Sequence, residues 1–178
     1  AFEFGGVRND LYGPAITYTP FSNGVIGVDQ TLTATITDFR GVATGIGLPV
    51  LYWNLNGGSY TALQAVSIGS DQYTFTFGSA ASTPGDVIRY YIVTQDVVSP
   101  TPNLSCSPSA GASGFTSNPP AVSTPPTTPS SYSVFNNMSG SYTVGSGGDY
   151  SNLQAAFDAI NSVVVSGDIT LLILAGGT

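Results

Sequence analysis

Apolar and polar residues alternate along several short stretches between residues 14 and 98. In QTLTATITD, Leu32, Ala34 and Ile36 fall on one face of a strand, and four threonines fall on the other. QYTFTFG (72–78) alternates in the same way and places three aromatic residues on one face. A period of two residues is typical of an antiparallel strand with one buried face. The pattern therefore predicts an all-β region.

Turn signals separate most of these strands. NGG (56–58) is a hairpin turn, and TPGD (83–86) precedes the long strand VIRYYIVTQD. At least six short strands with turns between most of them indicate an antiparallel β-sandwich of immunoglobulin type over residues 14–108. Sandwiches of this type often bury a large aromatic residue on the third strand. The predicted core residues are Ile36, Trp53, Ile88, Tyr90 and Ile92.

Most of the twelve prolines lie between residues 99 and 131. Proline lacks a backbone donor and fixes φ, so this stretch is predicted to form neither a helix nor a central strand. Leu104–Pro108 is expected to add a last edge strand to the sandwich. Residues 109–131 are predicted to be a Pro/Ser/Thr-rich linker, and residues 1–13 form a lead-in segment.

Residues 132–178 contain no proline, unlike the stretch before them, and their pattern predicts a strand, a glycine turn, a helix and a second strand. Ser151 is a suitable N-cap, and Gln154 stands three residues further on, which is the spacing of a capping box. Apolar residues from Leu153 to Ile160 then recur at helical spacing. The last strand, Ile169 to Leu174, has one hydroxyl and no charge, which is typical of a strand inside a core.

Charged residues make up only 7% of the chain, and the formal net charge is -7. With three arginines as the only cations, the chain cannot neutralise a run of phosphates, which argues against nucleic-acid binding. No apolar run reaches the length of a membrane span. A weakly charged surface rich in Ser and Thr suits an extracellular protein. Cys106 is the only cysteine, so no intrachain disulfide can form.

The chain has no His and no Lys, which excludes a Ser-His-Asp triad, a His-ligated metal and a Schiff base. We therefore predict that it is not an enzyme and has no catalytic residues. Carboxylates are the remaining candidates for chemistry. Asp38, Asp86 and Asp96 stand at predicted strand ends, where Asp either caps a turn or contributes to a calcium site. Calcium is the only cofactor that the sequence leaves open.

The first part of the chain resembles the immunoglobulin-like or fibronectin-type-III-like modules of large secreted proteins of Bacteroidota. In those modules, an Asp followed by xxGV precedes a strand with an aromatic pair, and Gly-Asp-x-Val/Ile leads into a Tyr-Tyr strand that ends in Asp. The matching residues here are Asp38, Gly41, Val42, Tyr52, Trp53, Gly85, Asp86, Ile88, Tyr90, Tyr91 and Asp96. The resemblance covers about 85 residues and implies a spacer or adhesive unit.

The last 39 residues, GSYTVGSGGDYSNLQAAFDAINSVVVSGDITLLILAGGT, resemble the opening of a right-handed parallel β-helix of the pectin-lyase-like type. The resemblance implies that the helix caps a solenoid and that the last strand is its first rung. Rungs stabilise one another, so the strand needs a neighbour, supplied by a longer protein or by another molecule. The assembly candidates are Phe2, Phe4, Ile169, Leu171, Leu172, Ile173 and Leu174.

Two functions are compatible with these patterns. The first is a non-catalytic structural or adhesive segment of a large bacterial cell-surface protein, exported through the type IX pathway that the resemblance implies. A variant of it is a filament subunit that assembles by strand exchange. The alternative is the front end of a secreted polysaccharide-degrading β-helix enzyme, which binds glycan through Trp53, Tyr60 or Tyr73. The expected partners are other segments of the same protein, copies of itself, or a glycan or surface ligand.

Overall fold

The computed structural model describes residues 10–78 and 82–175. Within these residues, the chain forms fourteen strands and one α-helix. Phe2 and Phe4 lie outside the described residues. The strands are β1 (Ala15–Tyr18), β2 (Asn23–Val25), β3 (Asp29–Thr37), β4 (Val50–Leu55), β5 (Thr61–Gln64), β6 (Val66–Gly69), β7 (Gln72–Gly78), β8 (Val87–Gln95), β9 (Leu104–Ser107), β10 (Ser113–Thr116), β11 (Ala121–Thr124), β12 (Ser130–Phe135), β13 (Asn137–Val144) and β14 (Val164–Ile173), and the helix is α1 (Leu153–Asn161).

Two sheets form the larger part of the structure. The first has the strand order β1-β3-β7-β6, and all its pairs are antiparallel. The second has the order β2-β12-β8-β4-β5, with β9 also paired to β8, and only the β2–β12 pair in it is parallel. Buried side chains from β3 and β7 share one core cluster with those from β4, β8 and β12. The prediction of a mainly β chain with antiparallel sheets is confirmed, in a sandwich-like arrangement.

The alternating residues place their apolar side chains between the two sheets. On β3, Leu32, Ala34 and Ile36 are buried, and the threonines between them are exposed. Ile88, Tyr90 and Ile92 of β8 are each 0% exposed. Trp53 is only partly buried at the side of this cluster, with its ring 6.2 Å from that of Phe77. The Tyr90 hydroxyl accepts a hydrogen bond from the Phe21 backbone N–H at 3.1 Å.

Strand β8 is buried on both faces, because a second apolar cluster covers its outer side. Tyr91 and Val93 belong to this cluster, which also contains Cys106. The Tyr91 ring stacks on that of Tyr52 with centroids 5.2 Å apart and 13° between the planes. Apolar residues from the proline-rich segment, including Val122, complete the cluster. The outer face of the second sheet therefore has its own small core.

The predicted linker at residues 109–131 is wrong, because this segment folds onto the second sheet. Strands β10 and β11 pair antiparallel and form a hairpin, which we call the cover hairpin. The Tyr52 hydroxyl donates to the Pro120 carbonyl at 3.0 Å. The buried Gln95 side chain donates to Asn118 Oδ1 at 2.9 Å and accepts from the Asn118 backbone N–H at 2.9 Å. The prolines lie in turns and beside strand ends, where no ladder donor is needed.

The predicted boundary before residue 132 is also corrected. Strand β12 pairs antiparallel with β8 and parallel with β2, so it belongs to the second sheet and not to the terminal unit. Tyr132 and Val134 on this strand are 2% and 0% exposed and join the main core. Their spacing of two residues fits a strand with one inward face.

Strands β13 and β14 form a separate two-stranded parallel sheet, and α1 connects them. The helix is capped by Asn152, whose Oδ1 accepts from the Ala155 backbone N–H at 2.9 Å. This corrects the prediction of Ser151 as the cap and Gln154 as its capping-box partner. Asn is as good a cap as Ser, and it stands one residue closer to the helix. Gln154 instead donates to Asp158 Oδ1 at 2.8 Å.

We expect Gln95→Ala to release the cover hairpin. The substitution leaves the Asn118 backbone N–H without its acceptor, so the free energy of unfolding should fall by about 1–3 kcal/mol. Gln64→Ala is the matched control, because Gln64 is exposed and makes one hydrogen bond to the Gly45 carbonyl. Denaturant unfolding measures both variants, and limited proteolysis between residues 109 and 129 should accelerate in Gln95→Ala alone. Equal effects of the two variants would contradict this account of the hairpin.

Candidate metal centre

Three aspartates from separate segments meet at one end of the sandwich-like unit. Asp10 precedes β1, Asp38 follows β3 and Asp96 follows β8. One carboxylate oxygen from each lies within 4.8 Å of the other two. The loops after β3 and β8 are joined by the Val97 backbone N–H, which donates to the Gly41 carbonyl at 3.2 Å. The centre thus joins loops from both sheets to the lead-in segment.

Asp96 is completely buried and organises the loop that follows β8. Its Oδ1 accepts from the backbone N–H groups of Val98 at 3.0 Å and Asn103 at 2.9 Å, and its Oδ2 accepts from Asn103 Nδ2 at 2.7 Å. Asn103 Nδ2 also donates to the Asp10 carbonyl at 3.2 Å. The same loop therefore positions two of the three carboxylates.

Asp38 is half-buried and closes the turn after β3. Its Oδ1 accepts from the backbone N–H groups of Arg40 at 2.7 Å and Gly41 at 3.0 Å. Burial raises the pKa of this carboxyl, and the nearby carboxylates of Asp10 and Asp96 raise the pKa further, against the lowering effect of the two hydrogen bonds. Burial, with a smaller contribution from the neighbouring carboxylates, therefore disfavours the charged form of Asp38.

Asp10 supplies the oxygen that has no partner. Its Oδ1 accepts a long hydrogen bond of 3.4 Å from the Tyr12 backbone N–H. Its Oδ2 is buried from solvent and accepts no hydrogen bond in the part of the chain that the structure describes. Asp10 was not predicted as a candidate from the sequence, because it lies in a lead-in segment with no periodic pattern.

Two clefts open beside the centre. One has a volume of 470 Å³ and is lined by Leu11, Arg40 and Val97 among others, and the second, of 460 Å³, has Tyr12 and Phe39 in its lining. Leu11, Tyr12 and Phe39 are 71%, 81% and 69% exposed, so apolar side chains surround the acidic centre. Carboxylate oxygens are hard donors, which suits calcium better than a transition metal.

Asp86, the third calcium candidate from the sequence, lies apart from this cluster. It accepts from the Thr83 backbone N–H at 2.7 Å, from Thr83 Oγ1 at 3.0 Å and from Asn56 Nδ2 at 2.7 Å. These hydrogen bonds hold the pKa of the Asp86 carboxyl below its ordinary value. Asp86 thus stabilises a turn, which was the alternative role for these aspartates.

The single cysteine has no features of a reactive thiol. Cys106 is buried in the outer cluster, and its Sγ donates to the Pro108 carbonyl at 3.1 Å. Burial raises the pKa of the thiol to about 11. The thiol is therefore protonated near pH 7 and is a poor nucleophile.

The C-terminal assembly candidates lie on β14 or next to it. Leu172 and Ile173 are 51% and 54% exposed, and Ile169, Leu171 and Leu174 are half-buried. The Leu174 backbone N–H donates to the Val144 carbonyl at 2.8 Å. Apolar exposure continues onto α1, where Leu153 and Phe157 are 45% and 50% exposed. These residues form the second candidate surface, which we call the β14 surface.

Comparison with protein-family models found no match, and comparison with curated proteins found no similar sequence. Among the described residues, no helix has the length and apolar character needed to cross a membrane.

Substitutions of Asp38 test the cost of holding its partly buried carboxylate in the charged form. Without divalent cations at pH 7, we expect Asp38→Asn to keep or raise the free energy of unfolding, because an amide oxygen still accepts from Arg40 and Gly41 while one negative charge is removed. Asp38→Ala should lower it by about 1 kcal/mol, because the loop loses both hydrogen bonds. Denaturant unfolding in EDTA provides the comparison. Equal destabilisation by the two substitutions would contradict the predicted cost of the charged Asp38 carboxylate.

Asp38→Asn also tests how the stability of the chain depends on pH. Because the pKa of Asp38 is raised in the folded state, the folded chain binds this proton more tightly than the unfolded chain does. The contribution of Asp38 to stability therefore increases as the pH falls through its folded pKa. Asp38→Asn should remove this contribution from the pH profile of unfolding. A pH profile of unfolding that is unchanged by Asp38→Asn would contradict the raised pKa of Asp38 in the folded state.

Proposed function

We propose that this chain is a non-catalytic structural segment of a large secreted bacterial surface protein. The sandwich-like unit serves as an immunoglobulin-like or fibronectin-type-III-like spacer or adhesive module. The terminal strand–helix–strand unit is the start of a parallel β-helix, and it accepts a further parallel strand along β14. In the isolated chain, a second copy supplies that strand, so the segment self-associates.

The observation that carries this proposal is the open edge of β14. The strand has ten residues, and among the described residues its ladder partner is β13 alone. Parallel strands are normally covered on both faces, whereas β14 leaves Val165, Leu172 and Ile173 about half exposed. A long apolar edge strand is a template for pairing with another chain. An added strand would satisfy its backbone groups and cover these side chains.

The surface of the sandwich-like unit supports a structural role. The outward side chains of β3 are largely threonines, and Thr31 and Thr76 share a side-chain hydrogen bond of 2.9 Å across two neighbouring strands. With 7% charged residues, the chain relies on hydroxyl and backbone groups for its contact with water. Such a surface fits a module that spans distance or contacts neighbours outside the cell.

The alternative, a glycan-binding front end of a polysaccharide-degrading enzyme, has less support. Binding through aromatic side chains requires several of them to face solvent along one sheet. Tyr73 is 8% exposed and belongs to the main core, and Trp53 packs against the same core. The Tyr60 ring lies edge-to-face on Tyr91 with centroids 4.9 Å apart. The three named aromatics therefore serve packing and do not form an exposed row.

The test is the concentration dependence of the solution mass, measured by light scattering after size exclusion in EDTA. We expect the wild-type chain to form species larger than 18.2 kDa as its concentration rises. Leu172→Lys and Ile173→Lys should shift the midpoint of association at least about tenfold higher, because each places a charge on a contact that must lose water.

Ile46→Lys is the matched control. Ile46 is also a large exposed side chain, 64% exposed, but it lies in a single helical turn (Gly45–Gly47) outside the strands. This control should associate as the wild type does. A wild-type chain that stays monomeric at all concentrations, or equal effects of all three substitutions, would contradict assembly through β14.

A further inference from the structure

We infer that the edge of β13 facing away from β14 is a second docking edge for β14 of another copy, and that the loop at residues 145–150 closes it. This inference rests on the proposed assembly through β14 and names what limits that assembly. It is carried by the contacts that the loop makes with the backbone of Thr143.

The loop folds back along the outer edge of β13. The Leu174 backbone N–H donates to the Val144 carbonyl, so Val144 directs its backbone groups toward β14. Backbone groups of successive residues point to opposite edges of a strand, so those of Thr143 point away from β14. There the Tyr150 backbone N–H donates to the Thr143 carbonyl at 3.1 Å, and Tyr150 forms a parallel bridge with Val144. Tyr150 thus occupies the position of a residue in an added parallel strand.

Asp149 satisfies the donors at the same edge. Its Oδ2 accepts from the Thr143 backbone N–H at 2.8 Å and from Thr143 Oγ1 at 2.7 Å, and its backbone N–H donates to Thr143 Oγ1 at 3.0 Å. The hydrogen bonds from Thr143 hold the pKa of the Asp149 carboxyl below its ordinary value. The carboxylate therefore replaces the carbonyl of a neighbouring strand, and a charge at a strand edge opposes pairing with another chain.

Gly148 allows the loop to lie directly on the strand. A Cβ at this position would be 2.8 Å from the Thr143 carbonyl oxygen and 2.9 Å from its carbon, so a larger residue would displace the loop. Beside it, the Tyr150 ring packs on that of Tyr142 with centroids 5.8 Å apart. The Tyr142 hydroxyl in turn donates to the Ser139 carbonyl at 3.1 Å. The contacts with the loop therefore extend along β13 beyond Thr143.

The closed edge would otherwise fit β14 of a second copy. Within one chain, residues 140–144 of β13 already pair in parallel with residues 169–173 of β14. The same pairing between chains would place β14 of one copy beside β13 of the next. Such an interface joins two different edges, so it repeats into an open-ended stack unless it closes into a ring. With the loop in place, β14 is the open edge of this sheet, and growth stops at a pair of chains.

The first measurement tests the loop in dilute solution, where the 178-residue chain is monomeric. Gly148→Ala displaces the loop by collision, and Asp149→Ala removes the acceptor for Thr143. Hydrogen exchange resolved at single amides by NMR should be at least about tenfold faster at Thr143 in both variants. Asp71→Asn is the control for charge: it removes one carboxylate from an exposed turn where φ is 58°, which Asn accepts readily. This control should leave the exchange of Thr143 unchanged.

The second measurement is the solution mass of the same variants by light scattering. Gly148→Ala and Asp149→Ala should form species that keep growing with concentration, whereas the wild type and Asp71→Asn should reach the mass of a pair. Adding Leu172→Lys to either loop variant should abolish the growth, because it blocks the β14 edge that each new copy needs.

Two results would overturn this inference alone. One is unchanged exchange of Thr143 in both loop variants. The other is a wild-type chain that associates while the loop variants grow no further than it does. A wild-type chain that stays monomeric at all concentrations contradicts the proposed function instead, and the exchange of Thr143 then still decides whether the loop closes the β13 edge.

Discussion

The structure depends on the burial of β8 on both of its faces. This strand has neighbours on both edges: β4 lies on one, and the other is shared by β12 along its first half and β9 along its second half. One face points into the main core, and the other is covered by the outer cluster of Tyr91, Val93 and their neighbours. Five parts of the chain surround this strand: β4, β9 and β12 on its edges, the first sheet on its inner face and the cover hairpin on its outer face. The burial of β8 therefore determines where each of these parts lies.

The candidate site follows from this arrangement. The last residue of β8, Gln95, holds the cover hairpin through Asn118, and the next residue, Asp96, holds the loop up to Asn103. Both polar side chains are almost fully buried, so each must be satisfied by the loops around it. Fixed side chains at the end of a rigid strand provide a preorganised position for a ligand. Asp10 and Asp38 complete the centre because their segments pack beside the same strand end.

Local pattern was sufficient to predict the strands that have one apolar face, such as β3 and β7, but not β10 and β11, and not which strands lie side by side. Alternation in β3 and β7 identified the core faces, because the inward residues are apolar and the outward ones are polar. In β8, apolar residues occupy both faces, which indicates a strand with two covers. The identity of the second cover depends on contacts that are distant in sequence. Prolines flank β10 and β11 without interrupting them, so composition suggested a linker where a hairpin exists.

The candidate site was predictable only in part for the same reason. Asp38 and Asp96 stand at strand ends and could be identified from the sequence, although nothing local distinguished them from Asp86, which stabilises a turn. Asp10 has no local signal, because it joins the centre through a hydrogen bond from the Asn103 side chain to its carbonyl. At α1, two adjacent residues were suitable caps, and the position of the first helical turn decided in favour of Asn152.

Hydrogen exchange followed by mass spectrometry tests the central role of β8 most directly. The account predicts that amides of β8 exchange most slowly in the chain and that the cover hairpin shares part of this protection. Amides on the open edge of β14 should exchange much faster in dilute solution, where no added strand covers them. Amides of β8 that exchange as fast as those of β14, or a cover hairpin whose amides exchange as fast as those of an unstructured linker, would contradict the central role of β8.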